Sequence, residues 1–380
     1  MISRRSAVLL VSFVLAACAD PAAPPAPESA SLARHSRGKS GIVITDLGTL
    51  GGNESRVMGL NTPALTRQLL IVGQSNVASG AILPAYWYVD TLTLQKTLAP
   101  LALPSAATVP NESGGVDFLD YRAGWGFDVN TNQQIVGYGA QYKNGSYNGD
   151  RAVIWSSPGA APIFLAGLEN TPSLAGAINE AGDAAGYLLY GTTEERAFFY
   201  DGVSTTVLQS FGGPAQARGV NIHDLVVGHS LTSPTAPFAS HRAFVSTPIG
   251  PPLQLPDLGG RASASAINDA GVIVGFAVNL AGESRAVRWT GSISTGYVIQ
   301  DLGLTNARAW DINSSGEIVG SYVGRQGERG FYQTAAGVTK ELPILGFAGI
   351  AYAINENAQI VGISWFRSKY SHAVLWTGVR

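Results

Sequence analysis

The sequence predicts an all-β fold, a seven-bladed β-propeller of four-stranded antiparallel blades that is closed by the N-terminal strand joining the last blade. A unit of roughly 45 residues recurs seven times between residues 41 and 380, a length typical of propeller blades. The chain holds 46 glycines and only 13% charged residues, which favours tight turns over long amphipathic helices. The two ends of the repeated region also carry complementary strands.

The clearest repeated element is an apolar residue, Asn, a short turn and an apolar pair that ends in Gly, as in Asn179–Gly186 and Asn268–Gly275. In six copies the Gly follows the Asn by seven positions, and a stretched seventh copy spans Asn61–Gly73. The other copies are Asn130–Gly137, Asn221–Gly228, Asn313–Gly320 and Asn355–Gly362. Asn bonds its own backbone two residues on and Gly accepts a positive φ, so these segments predict hairpin turns.

Two further elements complete each unit. One is a five-residue pattern: a basic residue, Ala, an apolar residue, any residue and, in most units, an aromatic residue, as in Arg151–Trp155. Its basic positions are Arg151, Arg196, Arg242, Arg285, Arg329 and His372. The other is Leu-Gly-rich, as in Asp46–Gly48, Asp257–Gly260 and Asp301–Gly303. Together the elements give four short strand candidates per unit, which is typical of a propeller blade.

The chain ends predict how the ring closes. The last unit stops at Trp376, before its fourth strand, whereas the repeated region begins with such a strand at Ile42–Gly48. We therefore expect the N-terminal strand to complete the last blade, because closure leaves only short, protected sheet edges.

These units resemble the HAF-repeat family of extracellular bacterial proteins over about residues 41–380. The resemblance implies an extracellular, propeller-like repeat protein and no particular activity. Most units carry Arg where the family name has His, which removes a simple metal-binding interpretation of that position.

The N-terminus predicts secretion and lipid anchoring. Arg4 and Arg5 precede an apolar run over residues 7–15 that is too short to span a bilayer but fits a signal peptide. Leu15–Cys18 resembles the lipobox of bacterial lipoproteins, which implies cleavage after residue 17 and lipidation, including palmitate, of Cys18. The alternative is an ordinary secretory signal with an incidental Cys.

The predicted domains are therefore a signal peptide over 1–17, a lipid anchor and Pro/Ala-rich linker over 18–40, and a propeller over 41–380. A Pro-rich linker acts as a semi-extended tether. The predicted location is extracytoplasmic, anchored to the cell envelope through Cys18, and Ala19 implies the outer membrane if the cell is Gram-negative.

Composition and motifs narrow the functions. The net charge of −2 argues against a nucleic-acid partner, because phosphate neutralisation needs a basic face. We predict a monomer with no cofactor, no metal and no catalytic residue identified. Two functions stay open: a binding or scaffold module for an envelope glycan or protein, and an enzyme, a glycosidase or lyase, acting on extracellular polysaccharide.

Positions that recur in every blade favour a scaffold role, which we assign to the basic positions. Departures from the repeat are better candidates for a site, and the first two units carry insertions over 92–121 and 141–150. Aromatic side chains in and near these insertions suit sugar rings or peptide side chains. The candidate ligand-binding residues are Trp87, Tyr121, Trp125, Tyr142 and Tyr147. Alternatively, these residues cover an enlarged blade.

Replacing Cys18 by Ser should abolish incorporation of a labelled fatty acid and move the protein from the membrane fraction to the soluble fraction. The reason is that several acyl chains on one Cys supply the membrane affinity. Fractionation with fatty-acid labelling measures both effects, and Ala19→Ser serves as the neighbouring control. Continued labelling or membrane retention of the Cys18 variant contradicts the lipobox hypothesis.

Overall fold

The computed structural model describes residues 35–37, 41–63, 66–190, 194–237, 240–367 and 370–380. Seven antiparallel sheets form the blades of a β-propeller, which confirms the predicted fold class. Cys18, the signal peptide and most of the predicted linker lie outside the described residues. No helix among the residues described is long and apolar enough to span a membrane.

The first three blades follow one another along the chain. Blade 1 consists of β3 (Gly51–Leu60), β4 (Gln68–Val77), β5 (Ile82–Asp90) and β6 (Lys96–Pro100). Blade 2 consists of β7 (Ala107–Pro110), β8 (Val116–Val129), β9 (Ile135–Lys143), β10 (Ser146–Trp155) and β11 (Ile163–Phe164). Blade 3 consists of β12 (Ser173–Ile178), β13 (Ala184–Tyr190), β14 (Glu194–Tyr200) and β15 (Thr205–Val207).

The next three blades have four strands each. Blade 4 consists of β16 (Ala215–Val220), β17 (Val226–Ser230), β18 (Arg242–Ser246) and β19 (Leu253–Gln254). Blade 5 consists of β20 (Gly259–Ile267), β21 (Ile273–Asn279), β22 (Ser284–Ser292) and β23 (Gly296–Thr305). Blade 6 consists of β24 (Ala307–Ile312), β25 (Ile318–Gly324), β26 (Gly327–Gln333) and β27 (Thr339–Glu341).

Blade 7 joins the two ends of the chain, as predicted. It consists of β28 (Ala348–Ile354), β29 (Ile360–Arg367), β30 (Tyr370–Thr377), β2 (Val43–Asp46) and β1 (His35–Arg37). The antiparallel register of β2 on β30 runs from the Val43–Thr377 pair to the Asp46–Val374 pair. Strand β1 pairs with β2 inside the segment predicted as linker, so it covers an edge that β2 would otherwise expose.

The core is divided into seven apolar clusters, one between each pair of neighbouring blades. The repeated Trp of the third strand anchors four of these interfaces. Each indole Nε1–H donates a hydrogen bond of 2.7–3.0 Å to a backbone carbonyl oxygen. That carbonyl lies just after the fourth strand of the preceding blade. The pairs are Trp87 with Leu47, Trp155 with Ala102, Trp289 with Pro256 and Trp376 with Pro343. Neighbouring blades are thus joined by both apolar burial and directed hydrogen bonds.

The repeated Asn holds its own turn and the next blade together. In blade 3, Oδ1 of Asn179 accepts the backbone N–H groups of Ala181 and Asp183, each at 2.9 Å. Its Nδ2 donates to the carbonyl oxygen of Asn221 in blade 4 at 3.0 Å. Equivalent bonds to the next blade's Asn, at 2.9–3.2 Å, are made by Asn130, Asn221, Asn268, Asn313 and Asn355. The sequence predicted the turns but not the link between blades.

The repeated Gly permits a bulge in the first strand of every blade. A Cβ built on Gly275 would lie less than 3.0 Å from the backbone oxygen of Ser263, and the other six repeated glycines meet the equivalent oxygen in their blades. Next to the residue that pairs with this Gly, the pairing of the first strand with the second strand shifts by one residue in all seven blades. The Gly is therefore required because the bulged strand approaches too closely for a side chain.

Gly275→Ala should lower the free energy of unfolding by about 3 kcal/mol or more, because a backbone carbonyl cannot move aside as a side chain can. Gly159→Ala is the matched control, since a Cβ there meets nothing within 4 Å, and it should change stability by less than about 0.5 kcal/mol. Denaturant unfolding measures both variants. Equal stabilities would contradict the proposed role of the repeated Gly.

Candidate functional site

The first strands of the seven blades contact one another in a closed ring and so surround a central channel. Each Asn turn joins a first strand to a second strand, so the Asn turns lie together at one end of the propeller, here called the Asn end. The hairpins between second and third strands lie at the opposite end, here called the hairpin end. The two ends therefore carry different loops.

One channel position differs in every blade. The bulged residue lies three positions before the repeated Asn, and we call this set the bulge column. Its members are Met58, Phe127, Gly176, Arg218, Ser265, Trp310 and Tyr352. The blade 4 member, Arg218, is exposed to solvent.

Arginine and aromatic side chains of blades 4 to 7 lie close together, and we call this group the inner arc. Its members are Arg218, Arg261, Phe276, Arg308, Trp310 and Tyr352. The guanidinium of Arg308 lies 4.4 Å from the centre of the Phe276 ring, and that of Arg261 lies 5.7 Å from it. The rings of Trp310 and Tyr352 meet edge to face at 5.7 Å, which links blades 6 and 7.

The inner arc concentrates positive charge. Burial lowers the pKa of Arg308, and the neighbouring Arg261 and Arg218 lower it further by repulsion, whereas Glu328 opposes them. Glu328 accepts a hydrogen bond from Ser321 Oγ at 2.9 Å. Arg261 and Arg218 therefore lie close enough to Arg308 to repel its charge, which favours an anion beside Arg308.

Two histidines complete the blade 4 side of the inner arc. Burial, Arg218 and His241 hold the pKa of His229 well below its usual range, so His229 is neutral. Its Nδ1 accepts a hydrogen bond from Arg218 Nε at 3.4 Å and lies 3.2 Å from Ser263 Oγ. His229 thus orients Arg218 without adding charge.

Blade 2 faces the channel with aromatic side chains. Trp125 stacks on Phe127 with ring centres 5.1 Å apart, and Tyr138 lies 5.9 Å from Phe127. Within the described residues, Nε1–H of Trp125 and Nε–H of Arg56 in blade 1 are buried without an acceptor. Buried donors of this kind are rare in proteins and mark places where a ligand or water can bind.

The five predicted aromatic residues do not lie together, and one of these residues, Trp87, is not accessible to a ligand. Trp87 is fully buried and bonds Leu47, so it belongs to the interface between blades 7 and 1 and not to a surface. Tyr121, Tyr142 and Tyr147 lie on the extended part of blade 2, which projects from the hairpin end.

On that extension, Tyr147 is 59% exposed and contacts Tyr142 edge to face at 5.8 Å. The Tyr121 hydroxyl accepts a hydrogen bond from Gln141 Nε2 at 2.6 Å, and its ring packs near Phe164. Trp125 is the predicted residue that lies closest to the bulge column. Sequence comparison of the units position by position would have revealed the column, because the residue type differs in every unit three positions before the repeated Asn.

The repeated basic residues bond scaffold groups, in most cases the acid of their own unit. Arg285 pairs with Asp301 at 2.8 Å and His372 with Asp46 at 3.1 Å. The remaining contacts are Arg242 with Asp257, Arg196 with Glu194, Arg151 with Glu169 O, and Arg329 with Phe347 O. Arg151 and Arg329 thereby reach the segment that enters the next blade.

Two carboxylates, of Asp128 and Asp311, lie in the channel nearer the Asn end. Burial raises the pKa of Asp128 to about 7 and that of Asp311 to about 6, and the charge of Asp311 adds to the effect on Asp128. Asp128 accepts the N–H groups of Val129 at 2.8 Å and of Ile178 in the next blade at 3.0 Å. Asp311 makes the equivalent two bonds, so both carboxylates act as acceptors that join blades.

Other acidic groups are also occupied. Asp117 pairs with Lys143 at 2.6 Å and Asp120 with Arg122 at 2.7 Å, both in the blade 2 extension. Across the part of the chain that the structure describes, no group of three or more His, Cys, Asp or Glu side chains could hold a metal ion.

The fold resembles solved structures at low sequence identity. The acylaminoacyl peptidase of Pyrococcus horikoshii matches with a TM-score of 0.51 and 11% identity, over 86% of this chain and 52% of that one. This chain thus spans about half the length of that peptidase. A streptogramin B lyase matches with a TM-score of 0.48 and 10% identity, over 88% of this chain and 97% of that one.

The β-propeller domain of the trilobed protease from Pyrococcus furiosus matches with a TM-score of 0.43 and 6% identity, over 76% of this chain and 98% of that one. No protein-family model and no curated protein sequence matches the chain. At these identities the matches concern the fold alone and assign no activity to this chain.

Asp128→Asn should become more stable relative to the unsubstituted protein as the pH rises from 5 to 8. The folded-state pKa of Asp128 is about 7, above the unfolded value of about 3.9, so the stability contributed by its bound proton is lost progressively as the pH rises from about 3.9 to about 7. We expect the difference in unfolding free energy to change by about 2 kcal/mol, measured by denaturant titration at both pH values. Asp269→Asn, at an exposed carboxylate that accepts the N–H of Ile222, is the control and should show no such change. A pH-independent difference for Asp128→Asn would contradict the assignment.

Proposed function

We propose that the protein is a lipid-anchored, extracytoplasmic HAF-repeat propeller that binds an envelope or extracellular glycan or protein in its central channel. The observation that carries the proposal is the bulge column, where an otherwise repeated scaffold presents seven different side chains in seven blades. Scaffold positions recur because each blade needs them, whereas a ligand site requires side chains that differ around the ring.

The anchor explains how such a module acts on the envelope. A diacylated or triacylated Cys18 followed by a Pro-rich tether would hold the propeller at the membrane while leaving its ends accessible. In a Gram-negative cell Ala19 favours the outer membrane. The chain acts as a monomer, because a single propeller already closes its own ring.

Binding fits the side chains of the channel better than catalysis does. Asp128 and Asp311 use both carboxylate oxygens on backbone N–H groups, and Asp117 is held by Lys143. The channel instead offers aromatic faces and cations, which are groups that bind and orient a ligand.

The test is a pull-down from envelope extract together with a glycan array, using the secreted chain from residue 19 onward. Trp310→Ala combined with Tyr352→Ala should remove most of the binding, because both rings line the channel. Ile249→Ala, at an 89% exposed residue outside the channel, is the control and should bind normally.

Thermal unfolding of each variant establishes that it is folded. Full binding by the folded Trp310/Tyr352 double variant, or no binding by the unsubstituted chain in either assay, contradicts the proposed function.

A further inference from the structure

We propose that the inner arc binds the carboxylates of an acidic oligosaccharide built from hexuronate sugars. This inference rests on the proposed function and names the ligand class of the same site. It follows from three features of the channel wall, namely guanidinium groups with unused donors, aromatic faces beside them, and buried donors without acceptors.

Arg308 supplies the first feature. Its guanidinium makes no hydrogen bond to any group in the described residues and is held over the Phe276 ring at 4.4 Å. A guanidinium presents five N–H donors in a planar fork that matches a carboxylate at two points. Stacking on a ring fixes the plane of the fork, so less conformational freedom is lost when the carboxylate binds.

Arg218 extends the cationic surface into blade 4. Its Nε and Nη2 donate to His229 Nδ1 at 3.4 Å and to Gln216 Oε1 at 3.0 Å, both neutral acceptors. Neither Arg218 nor Arg308 has a carboxylate within 4.0 Å among the described residues. Both charges are therefore left for an external anion.

The acidic groups that face the inner arc are already engaged. Glu195 accepts a hydrogen bond from Gln216 Nε2 at 2.8 Å, and Glu328 accepts one from Ser321 Oγ at 2.9 Å. They reduce the positive potential without pairing directly with Arg218 or Arg308. A ligand carboxylate would therefore meet the guanidinium groups of Arg218 and Arg308 without displacing either glutamate from its hydrogen bond.

The aromatic faces point to a sugar. Trp310 and Tyr352 come from neighbouring blades and contact each other edge to face, and the stacked Trp125–Phe127 pair lies on the blade 2 side of the channel. Flat aromatic surfaces pack against the C–H faces of sugar rings, whereas recognition of an acidic peptide by an arginine cluster makes no use of such surfaces. The buried N–H groups of Trp125 and Arg56 add donors suited to ring hydroxyls.

Titration calorimetry of the secreted chain with trigalacturonate tests the inference. Trigalacturonate should bind, and the uncharged trigalactoside should bind at least about tenfold more weakly, because the charge-assisted hydrogen bonds are lost. Arg308→Gln should weaken trigalacturonate binding by about tenfold or more. Arg288→Gln is the matched control, since Arg288 bonds Gln300 on the outer strands of blade 5, and it should leave binding unchanged.

A second probe, hexaglutamate, separates a sugar from an acidic peptide and should bind more weakly than trigalacturonate. Three results would overturn the inference: no binding of trigalacturonate, equal binding of the trigalactoside or hexaglutamate, or an Arg308→Gln variant that is folded and binds normally. If the envelope pull-down or array nevertheless depends on Trp310 and Tyr352, the proposed function survives and only the ligand class is wrong.

Discussion

The side-chain amide of the repeated Asn is the interaction on which the rest of the propeller depends. Its oxygen closes the turn of its own blade and its nitrogen bonds the carbonyl of the equivalent Asn in the next blade, as Asn179 does with Asn221. The same bond joins six of the seven pairs of neighbouring blades, from Asn130 round to Asn61, and there it sets one distance between neighbouring first strands. That distance determines the width of the channel and where the channel-lining residues lie.

The bulge opposite the repeated Gly turns this regular scaffold into a variable surface. A side chain on Gly320 or Gly362 would overlap the backbone of the first strand, so the close approach is available only without one. The bulge then leaves one residue per blade free of the ladder pairing, and that residue faces the channel. The same backbone geometry in every blade therefore carries different side chains at equivalent positions, such as Arg218, Trp310 and Tyr352.

Most of the fold could be predicted because its determinants are local and repeated. The spacing of Asn and Gly indicates the turns, and the strand at Ile42–Gly48 indicates the closure onto β30. The Asn amide's bond to the next blade could not be derived, since its acceptor lies more than 40 residues away and is a backbone group that any residue type provides.

The site was predicted less well than the fold. Trp87 was chosen for its neighbourhood of aromatic residues, although it occupies the same third-strand position as Trp155, Trp289 and Trp376 and is buried as they are. Trp310 and Tyr352 were passed over because they lie inside the repeat. What separates a buried aromatic residue from a channel-lining one is the direction in which its side chain leaves the strand. Side chains normally alternate between the two faces of a strand, but a bulge interrupts this alternation, so the direction cannot be counted off from the sequence.

Hydroxyl-radical footprinting tests the central claim that the bulge column faces the channel and contacts the ligand. Its members Met58, Phe127, Trp310 and Tyr352 all react readily with hydroxyl radicals. Ile249, at 89% exposure, reports on a surface away from the column. The account predicts that trigalacturonate lowers oxidation at the four column residues and leaves Ile249 unchanged. Unchanged oxidation of the column, with protection of Ile249 instead, would contradict it.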